Sequence, residues 1–213
     1  MKINVEVLES ALVHDSLKLE NLNEKELVKK MVTRRRLSRN SRILIKLAHD
    51  CNFTKGVMIY GSAYGEVIDT VNILNAINDK EVVSPTAFQN SVYNTAASYH
   101  SIVNENTSEI LTLSCGDKTS YRVMQQAALS LLSEDEVFVC VSVAINFDGV
   151  ESLNKCENEL EYGIAFKLRK TTKEANVNVV QKAQKGVPAS LSWMKNLYDE
   201  AKNKEQSIVE IDL

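Results

Sequence analysis

The chain has 213 residues, which suffices for one domain with a sizeable hydrophobic core, and we expect a single domain over residues 1–213. A charged fraction of 25% and a net charge of −3 give no reason to expect a nucleic-acid partner or bulk attraction to an anionic membrane. No apolar run approaches the roughly 20 residues that span a bilayer, and the N-terminus MKINVEVLES has no signal-peptide core. These features predict a cytoplasmic protein without a membrane span.

Strand-like and helical patterns alternate along the chain. Apolar alternation and short apolar runs predict strands at 3–8, 56–62, 109–114, 136–145, 161–168 and 176–181. Helical spacing predicts helices at 24–32, 38–50, 64–78, 85–102, 119–133 and 190–203. The tail after about residue 204 is expected to be loosely held. Strands that alternate with helices of ten or more residues are typical of a layered α/β domain with a mainly parallel central sheet.

The four cysteines do not suggest a metal site. Cys51, Cys115, Cys140 and Cys156 form no C-x-x-C pair, and no histidine lies at metal-ligand spacing from them. We therefore expect neither a metal nor a cofactor. Cys140 lies in the apolar run VFVCVSV and is interpreted as a core thiol, and no disulfide is expected in the cytosol.

A sharp turn follows the apolar run Ile110-Leu111-Thr112-Leu113. The residues after it are Ser114-Cys115-Gly116-Asp117, and a helix is predicted to begin almost at once. Many acyl-transfer enzymes hold a nucleophile at such a strand-to-helix turn. The turn therefore raises the question whether Cys115 is a nucleophile.

Three segments resemble a known family. Residues 84–127 (SPTAFQNSVYNTAASYHSIVNENTSEILTLSCGDKTSYRVMQQA) resemble the N-terminal half of a β-ketoacyl synthase, and RRRLSRNSRILIKLA (34–48) and GVMIYGSAYGEVIDTVNIL (56–74) match it upstream. The chain is similar in particular to the short synthase-like proteins that act as chain-length-factor-type subunits beside aryl polyene and flexirubin-type pigment pathways. The resemblance covers about residues 34–145. It implies a thiolase-like half, with a layered mixed sheet flanked by helices.

The resemblance bears directly on the nucleophile. Counted from Asn94, the catalytic cysteine of true synthases falls on Asp117, where the short proteins also place aspartate. An aspartate cannot form the thioester that the condensing reaction needs. The two supporting histidines of the family lie in a C-terminal half, whereas His14, His49 and His100 all precede the turn. We therefore expect an inactive synthase homologue without catalytic residues.

Cys115 has two interpretations. It lies two residues before the nucleophile position, which moves the sulfur by about 7 Å along a strand. A buried or half-buried structural thiol is the favoured interpretation, and a reactive thiol paired with His100 is the alternative. His100 itself lies among small residues of the predicted 85–102 helix, so a packing or interface role is favoured over a role as a base.

The resemblance also implies partners. A full-length β-ketoacyl-ACP synthase would supply the catalytic groups, with strand 110–114 and helix 85–102 at the interface of the heterodimer. Phe88, Val92 and Tyr99 would set the depth of the acyl or polyene tunnel. The further tunnel or interface residues are Tyr93 (where the short family commonly has histidine), Asn94, Ala96, Ala97, Ile110, Leu111 and Leu113.

The basic run at 33–42 has two interpretations as well. A solvated helix start is the simpler one, and docking of the acidic acyl carrier protein by Arg34, Arg35 and Arg36 is the functional one. Two other functions remain open on the sequence alone. One is a self-sufficient homodimeric thiol acyltransferase or hydrolase that uses Cys115, and the other is a homodimer that holds acyl chains without chemistry.

Overall fold

A computed structural model describes residues 1–14, 22–145, 161–180 and 182–213. Its strands are β1 Lys2–His14, β2 Val57–Gly61, β3 Ile110–Leu113, β4 Glu136–Ala144, β5 Glu161–Lys170 and β6 Ser207–Asp212. Its helices are α1 Glu24–Leu27, α2 Met31–Arg36, α3 Arg39–Asp50, α4 Val67–Asn78, α5 Pro85–Asn90, α6 Thr95–Asn104, α7 Thr119–Ser130 and α8 Ser192–Ala201. None of the helices within these ranges is both long and apolar enough to cross a bilayer.

The described strands form one six-stranded mixed sheet in the order β3-β2-β4-β5-β1-β6. Strand β2 is parallel to β3 and β4, whereas β5 is antiparallel to β4 and β1, and β1 is antiparallel to β6. The mixed sheet implied by the resemblance is confirmed. The mainly parallel sheet expected from the alternation of elements is wrong, because three of the five strand pairings, β4–β5, β5–β1 and β1–β6, are antiparallel.

Helices cover both faces of the sheet. On one face, α7 and α8 bury Val123, Met124 and Leu197 against the central strands, and on the other face α3 and α6 bury Leu44, Leu47 and Ala97. The approach of α7 to β2 is especially close: a Cβ atom at Gly61 would lie 2.7 Å from Val123 Cγ2 and 2.8 Å from Thr119 Cγ2. Glycine at this position therefore lets the start of α7 lie directly against the sheet.

The helix predicted at 85–102 is two helices, α5 and α6, with a break between Asn90 and Thr95. Ser91 Oγ donates to the Phe88 carbonyl at 2.9 Å, and Thr95 Oγ1 donates to the Asn90 carbonyl at 2.8 Å. These hydroxyl groups bond carbonyls that a continuous helix would pair with backbone amides. The helix predicted at 24–32 is likewise divided, into α1 and α2.

The C-terminal region also differs from the sequence prediction. The strand expected at 176–181 is reduced to a single bridge between Val177 and Val209, and residue 181 lies outside the described residues. The tail expected to be loose contains β6, in which Ile208, Val209 and Ile211 are buried against the core. Its short Ile-Val-Glu-Ile alternation pairs with β1 over six residues, which fixes the tail.

Candidate functional site

The strand-to-helix turn is held by Thr119. The Cys115 amide donates to Thr119 Oγ1 at 3.1 Å, and the same hydroxyl donates to the Gly116 carbonyl at 2.7 Å. Gly116 has a φ of +54°, a left-handed conformation that glycine adopts at little cost. A short 3₁₀ turn at Gly116–Lys118 then leads into α7. The chain therefore forms the compact elbow expected from the sequence.

Cys115 and Asp117 are both exposed at this elbow. The expectation that Cys115 is buried or half-buried is wrong, because the strand ends at Leu113 and the chain leaves the sheet before the cysteine is reached. Asp117 lies two residues before α7 begins at Thr119, where a carboxylate is favoured by the positive end of the helix. Cys51 and Cys140 are buried, as a core role requires, whereas Cys156 lies outside the described residues.

His100 does not lie at the elbow. Its ring is fully buried and stacks on Phe53 at 5.4 Å, and Phe53 stacks on Phe138 at 4.4 Å. Phe138 pairs with Met58, which in turn pairs with Ile110 at the start of β3. The elbow lies beyond the other end of β3, about 10 Å further along the strand. The structure therefore does not bring His100 and Cys115 together.

The surroundings of the three histidines give no base at the elbow either. Burial lowers the pKa of His100 to about 4, so it is neutral at physiological pH. His14 stacks on Tyr162 at 5.3 Å and belongs to β1, and His49 lies in the last turn of α3 beside Asp50. Within the described ranges, no group of three or more His, Cys, Asp or Glu residues could hold a metal ion.

β3 forms one edge of the sheet. Its side chains alternate: Leu111 and Leu113 pack towards the core beneath α7, whereas Ile110 packs towards α3 and α6. All four strand residues remain half-buried. Beside the edge lies a groove of about 480 Å³, lined by Asn94, Ser98, Ser101, Ile102, Ile110 and Thr112. An edge strand of this kind offers its free backbone groups to another chain.

An apolar surface adjoins the edge. It consists of seven exposed side chains of α4, α5, α6 and their connections: Leu74, Ile77, Val82, Phe88, Val92, Tyr93 and Ile102. Helix α4 has no buried residue, although it carries six aliphatic side chains other than alanine. Val82 is 94% exposed and Phe88 70% exposed. Exposed apolar patches of this kind mark sites of interaction with another molecule.

Charge is depleted along the same segment. Residues 82–104 contain no Asp, Glu, Lys or Arg, although 25% of the chain is charged. Depletion of charged residues characterises the core of a protein–protein interface. The charge-free run and the apolar α4 are visible in the sequence, and they identify Leu74, Ile77, Val82 and Ile102, which the motif comparison did not.

The predicted tunnel and interface residues divide into two groups. Phe88, Val92 and Tyr93 belong to the apolar surface, and Asn94 lines the groove beside β3. Ala96, Ala97 and Tyr99 are instead buried within this chain. The two alanines pack in the α3 face of the core, and Tyr99 donates through its hydroxyl to Asn90 Oδ1 at 3.2 Å. Ala96 and Ala97 thus allow α6 to pack closely on α3, and they do not face a partner.

The three predicted docking arginines are not equivalent. Arg34 Nη1 donates to the carbonyls of Val28 and Lys29 at 2.6 and 2.8 Å, which holds the connection between α1 and α2. Arg35 and Arg36 are exposed. Only the last two are therefore free to meet another molecule through their side chains.

A buried polar network joins the two upstream sequence motifs. Ser38 Oγ donates to Glu66 Oε1 at 2.6 Å, and Asn40 Nδ2 donates to Glu66 Oε2 at 3.3 Å. Ser142 Oγ donates to Asn40 Oδ1 at 2.9 Å and lies 2.8 Å from the Tyr60 hydroxyl. Burial raises the pKa of Glu66 to about 7, although the hydrogen bonds from Ser38 and Asn40 oppose this rise. The network ties the start of α4 to α3 and β4.

Comparisons with known proteins support the family. Residues 15–210 match the family model described as Beta-ketoacyl synthase, N-terminal domain. No curated protein matches the chain. A chain from the complex of the ketosynthase ApeO with its chain length factor ApeC from Xenorhabdus doucetiae shares 16% identity, with a TM-score of 0.65 over 86% of this chain and 81% of that chain.

Two further solved structures share the fold. A chain of AntDE:AntF, a type II PKS acyl-carrier protein in complex with its ketosynthase bound to the hexaketide, has 13% identity and a TM-score of 0.60. The ishigamide ketosynthase/chain length factor has 9% identity and a TM-score of 0.57. The AntDE:AntF chain covers 80% of this chain, and the ishigamide chain covers 82% of it. The match spans only 64% and 63% of those two chains, which is less than two thirds of their length.

At these identities the solved structures show the fold alone, whereas the family model covers most of the chain. The six-stranded mixed sheet flanked by helices agrees with both findings. The fold is the α/β thiolase-like fold, and the chain belongs to the family of β-ketoacyl synthase N-terminal domains.

Proposed function

We propose that this chain is a non-catalytic, chain-length-factor-type subunit that pairs with a full-length β-ketoacyl-ACP synthase in the cytoplasm. The synthase supplies the cysteine and histidines. This chain covers part of the partner's surface and shapes the tunnel into which the acyl or polyene chain grows. The pathway that we propose is aryl polyene biosynthesis or a related polyketide or fatty-acid-type synthesis.

The observation that carries the proposal is the continuity of the β3 edge with the apolar surface. The groove at the edge includes Ile102, which also belongs to the apolar surface, so the two features form one face of the molecule. That face combines free backbone groups, exposed aliphatic and aromatic side chains and a charge-free segment. We expect a stable interface here to bury more than about 2,000 Å².

The tunnel-shaping role rests on three side chains of this face. Phe88, Val92 and Tyr93 lie on α5 and in the α5–α6 break, where they project away from the core. In a heterodimer such side chains would form a wall of a cavity that neither subunit closes alone. A larger side chain in the wall would fill the cavity and stop growth earlier, because each extension adds a two-carbon unit.

The non-catalytic assignment is supported by the elbow. Its counted nucleophile position carries an exposed aspartate, and the structure places none of the three histidines beside it. The alternative, an enzyme that uses Cys115, gains an accessible thiol from the structure. It lacks a base, because His100 is buried at the opposite end of β3.

Carrier-protein binding completes the proposal. Arg35 and Arg36 are exposed on α2 and would attract the acidic acyl carrier protein that presents the growing chain. Arg34 would contribute indirectly, since its guanidinium holds the backbone before α2. The solved complex of an acyl-carrier protein with its ketosynthase is consistent with a carrier protein as a partner of this fold.

Co-expression with a full-length synthase from the same organism tests the proposal. We expect the two chains to co-purify in equal amounts and the synthase to make chains of defined length only in the pair. If they never co-purify, and the synthase acts equally well without this chain, the proposal is wrong. Cys115→Ala distinguishes the alternative, which predicts loss of activity, whereas the proposed subunit keeps its full function.

A further inference from the structure

A second groove lies at the other edge of the sheet, beside β6. Five inter-strand spacings, about 24 Å, separate β6 from β3, so this groove is distinct from the face proposed to meet the synthase. Its volume is about 590 Å³, within the usual range of ligand sites. Residues 175–179 form one wall, and the remainder is formed by Tyr121 of α7, Trp193 of α8 and the end of β6 at Glu210 and Asp212.

The backbone groups of Glu210 point away from the sheet. Ile208 shows the direction, because its carbonyl accepts from the amides of Asn176 and Val177, each at 3.0 Å, on the side away from β1. Backbone groups alternate between the two sides of a strand, so those of Glu210 point the same way. The bridge between Val177 and Val209 is the last pairing described on this edge. Beyond it, the N–H and C=O groups of Glu210 have no partner within the described ranges.

Helix α7 closes the far end of this open edge. The Tyr121 hydroxyl and Gln125 Nε2 both donate to the Asp212 carbonyl, at 3.3 and 2.6 Å. The open edge therefore extends from the bridge at Val209 to this carbonyl, a distance of about 10 Å. That length accommodates about three residues of an extended chain.

Trp193 supplies a further unpaired donor. It is 6% exposed, belongs to the hydrophobic core and lies 5.8 Å from Tyr121 between ring centroids. Its indole N–H has no hydrogen-bond partner among the residues that the structure describes, yet it is not sealed from solvent. A buried indole normally has such a partner. Together with Glu210, it gives the groove two N–H donors and one carbonyl acceptor, which suit a peptide backbone.

The lining of the groove indicates the side chains of its occupant. Val177 and Val179 are apolar, and the described lining includes the carboxylates of Glu210 and Asp212 but no lysine or arginine. Lys2 binds Glu210 Oε1 at 2.5 Å from the neighbouring strand. Asp212 forms no ion pair in the part of the chain that the structure describes. The groove therefore favours apolar groups combined with a cation.

Alternation along a strand separates these two preferences. In a strand added to this edge, the residue opposite Glu210 places its side chain on the same face as Glu210 and Asp212. Its neighbours place theirs on the other face, where Val209 and Ile211 belong to the core that contains Trp193. A second copy of β6 fits poorly, because pairing about Glu210 sets like charges opposite each other.

We propose that this groove is the docking site for an extended segment of a partner protein in which apolar and basic residues alternate. One residue of that segment exchanges both backbone hydrogen bonds with Glu210, and its basic side chain lies beside Asp212. The next side chain is apolar and packs against Val179, and a carbonyl of the segment accepts from the Trp193 indole. The synthase proposed to bind at the β3 face leaves this opposite edge free, so the inference does not depend on that heterodimer.

The test uses the fluorescence of Trp193, which is the only tryptophan of the chain and therefore reports on the groove. The probe, acetyl-Val-Lys-Val-Lys-Val-amide, is titrated into the full chain. We expect a saturable change in emission with a Kd below about 1 mM. Acetyl-Val-Glu-Val-Glu-Val-amide should bind at least tenfold more weakly because its charge is reversed. The lysine peptide with both lysine amides N-methylated should bind as weakly, because those residues cannot donate to the Glu210 carbonyl.

A charge reversal in the chain provides the complementary measurement. Asp212→Lys is expected to weaken binding of the lysine peptide at least fivefold and to strengthen binding of the glutamate peptide. The control Glu134→Lys reverses an exposed carboxylate outside the groove and should change both by less than twofold. Thermal unfolding shows whether each variant is folded, and the three peptides test the inference on the parent chain in any case.

Four results would overturn the inference. The absence of a saturable change would exclude the docking site, and equal binding of the N-methylated peptide would exclude strand pairing. Equal binding of the glutamate peptide, or equal effects of Asp212→Lys and Glu134→Lys, would exclude selection of a basic segment. Self-association of the parent chain that Asp212→Lys abolishes in gel filtration would identify a second copy as the occupant instead.

Discussion

Ser38 donates a 2.6 Å hydrogen bond to the buried carboxyl group of Glu66, twenty-eight positions further along the chain. This bond joins the N-terminal cap of α3 to the residue that precedes α4. Helix α4 has no buried residue of its own. The position of α4, which carries Leu74 and Ile77 of the apolar surface, therefore depends in part on a contact whose strength changes with the ionisation of Glu66.

Glu66→Gln is expected to remove a pH dependence of stability. The folded-state pKa of Glu66 is about 7 against an ordinary value of 4.5, so the folded protein binds the proton more tightly than the unfolded chain. Below about pH 4.5 the group is protonated in both states and has no effect on the free energy of unfolding. As the pH rises from 4.5 through 7, ionisation of Glu66 lowers the free energy of unfolding progressively. The cost reaches about 3 kcal/mol, and about 2–3 kcal/mol of it develops between pH 5 and 8. Urea unfolding at these two pH values measures it.

In that experiment, the free energy of unfolding of Glu66→Gln should rise relative to that of the parent as the pH is raised from 5 to 8. The control is Glu81→Gln, which removes an exposed carboxyl group near the end of the same helix. Identical pH profiles of the parent and Glu66→Gln would contradict the raised pKa.

His100 is expected to destabilise the protein at acid pH. Burial lowers its pKa to about 4 from an ordinary 6.5, so the unfolded chain binds the proton more tightly. Stability is therefore lost as the pH falls from about 6.5 towards 4, by as much as about 3 kcal/mol. His100→Phe keeps the ring stack on Phe53 and should flatten this part of the profile in urea unfolding. His49→Gln, an exposed histidine, serves as the control, and an acid-side slope that survives in His100→Phe would refute the assignment.

Charged side chains on α4 are expected to disrupt the heterodimer without unfolding this chain. Leu74 and Ile77 are each 59% exposed, so Leu74→Lys/Ile77→Lys should change the free energy of unfolding by less than about 1 kcal/mol. Co-purification with the synthase should nevertheless fall at least tenfold. Val180→Lys is the matched control, because Val180 is 65% exposed but lies outside the apolar surface. Normal co-purification of the α4 variant would exclude α4 from the interface.

The thiol of Cys115 is expected to be alkylated readily, although the proposed function does not require it. Its exposure predicts rapid alkylation in the folded protein, whereas Cys51 is buried and its pKa is raised to about 12, so it should react slowly. Peptide mapping after brief exposure to iodoacetamide identifies the labelled site. Cys115→Ala should co-purify with the synthase as the parent does, and a loss of synthase activity in this variant would favour the thiol enzyme.

Asp117→Cys is expected not to create a synthase. The substitution places a thiol at the counted nucleophile position, but the nearest elements supply no histidine to activate it or to stabilise the carbanion. Condensation of an acyl thioester with a malonyl carrier protein should stay at background. Turnover well above that of the parent would show that a catalytic set exists elsewhere in the chain.

Local sequence patterns predicted several elements of the fold correctly. The apolar runs around Ile59, Leu111 and Val139 form β2, β3 and β4 at nearly the predicted bounds. Such strands can be predicted because the apolar pattern that defines them lies within a few consecutive residues. The elbow was also predictable, since its motif is contiguous. The position of β1 between β5 and β6 was not predictable, because it depends on pairing between residues that are 148 to 210 positions apart in the sequence.

The candidate site divides in the same way. Phe88 and Val92, which the sequence assigned to a tunnel wall, are exposed on the α5–α6 segment, whereas Ala96, Ala97 and Tyr99 are buried within the chain. The two helices are separated by a break at Ser91–Asn94, where hydroxyl–carbonyl bonds form that helical periodicity does not reveal. The exposure of Cys115 likewise depends on the exact residue at which β3 ends, because the strand ends at Leu113, only two residues before the cysteine.

The length of the product made by the reconstituted pair tests the central claim most directly. Val92→Trp enlarges a half-exposed side chain in the proposed tunnel wall, and Val180→Trp provides the matched control elsewhere on the surface. Mass spectrometry of the released chains should show products shorter by at least one two-carbon unit with Val92→Trp and an unchanged distribution with Val180→Trp. The same distribution from the parent and Val92→Trp, in pairs that form equally well, would contradict a tunnel-shaping role for this surface.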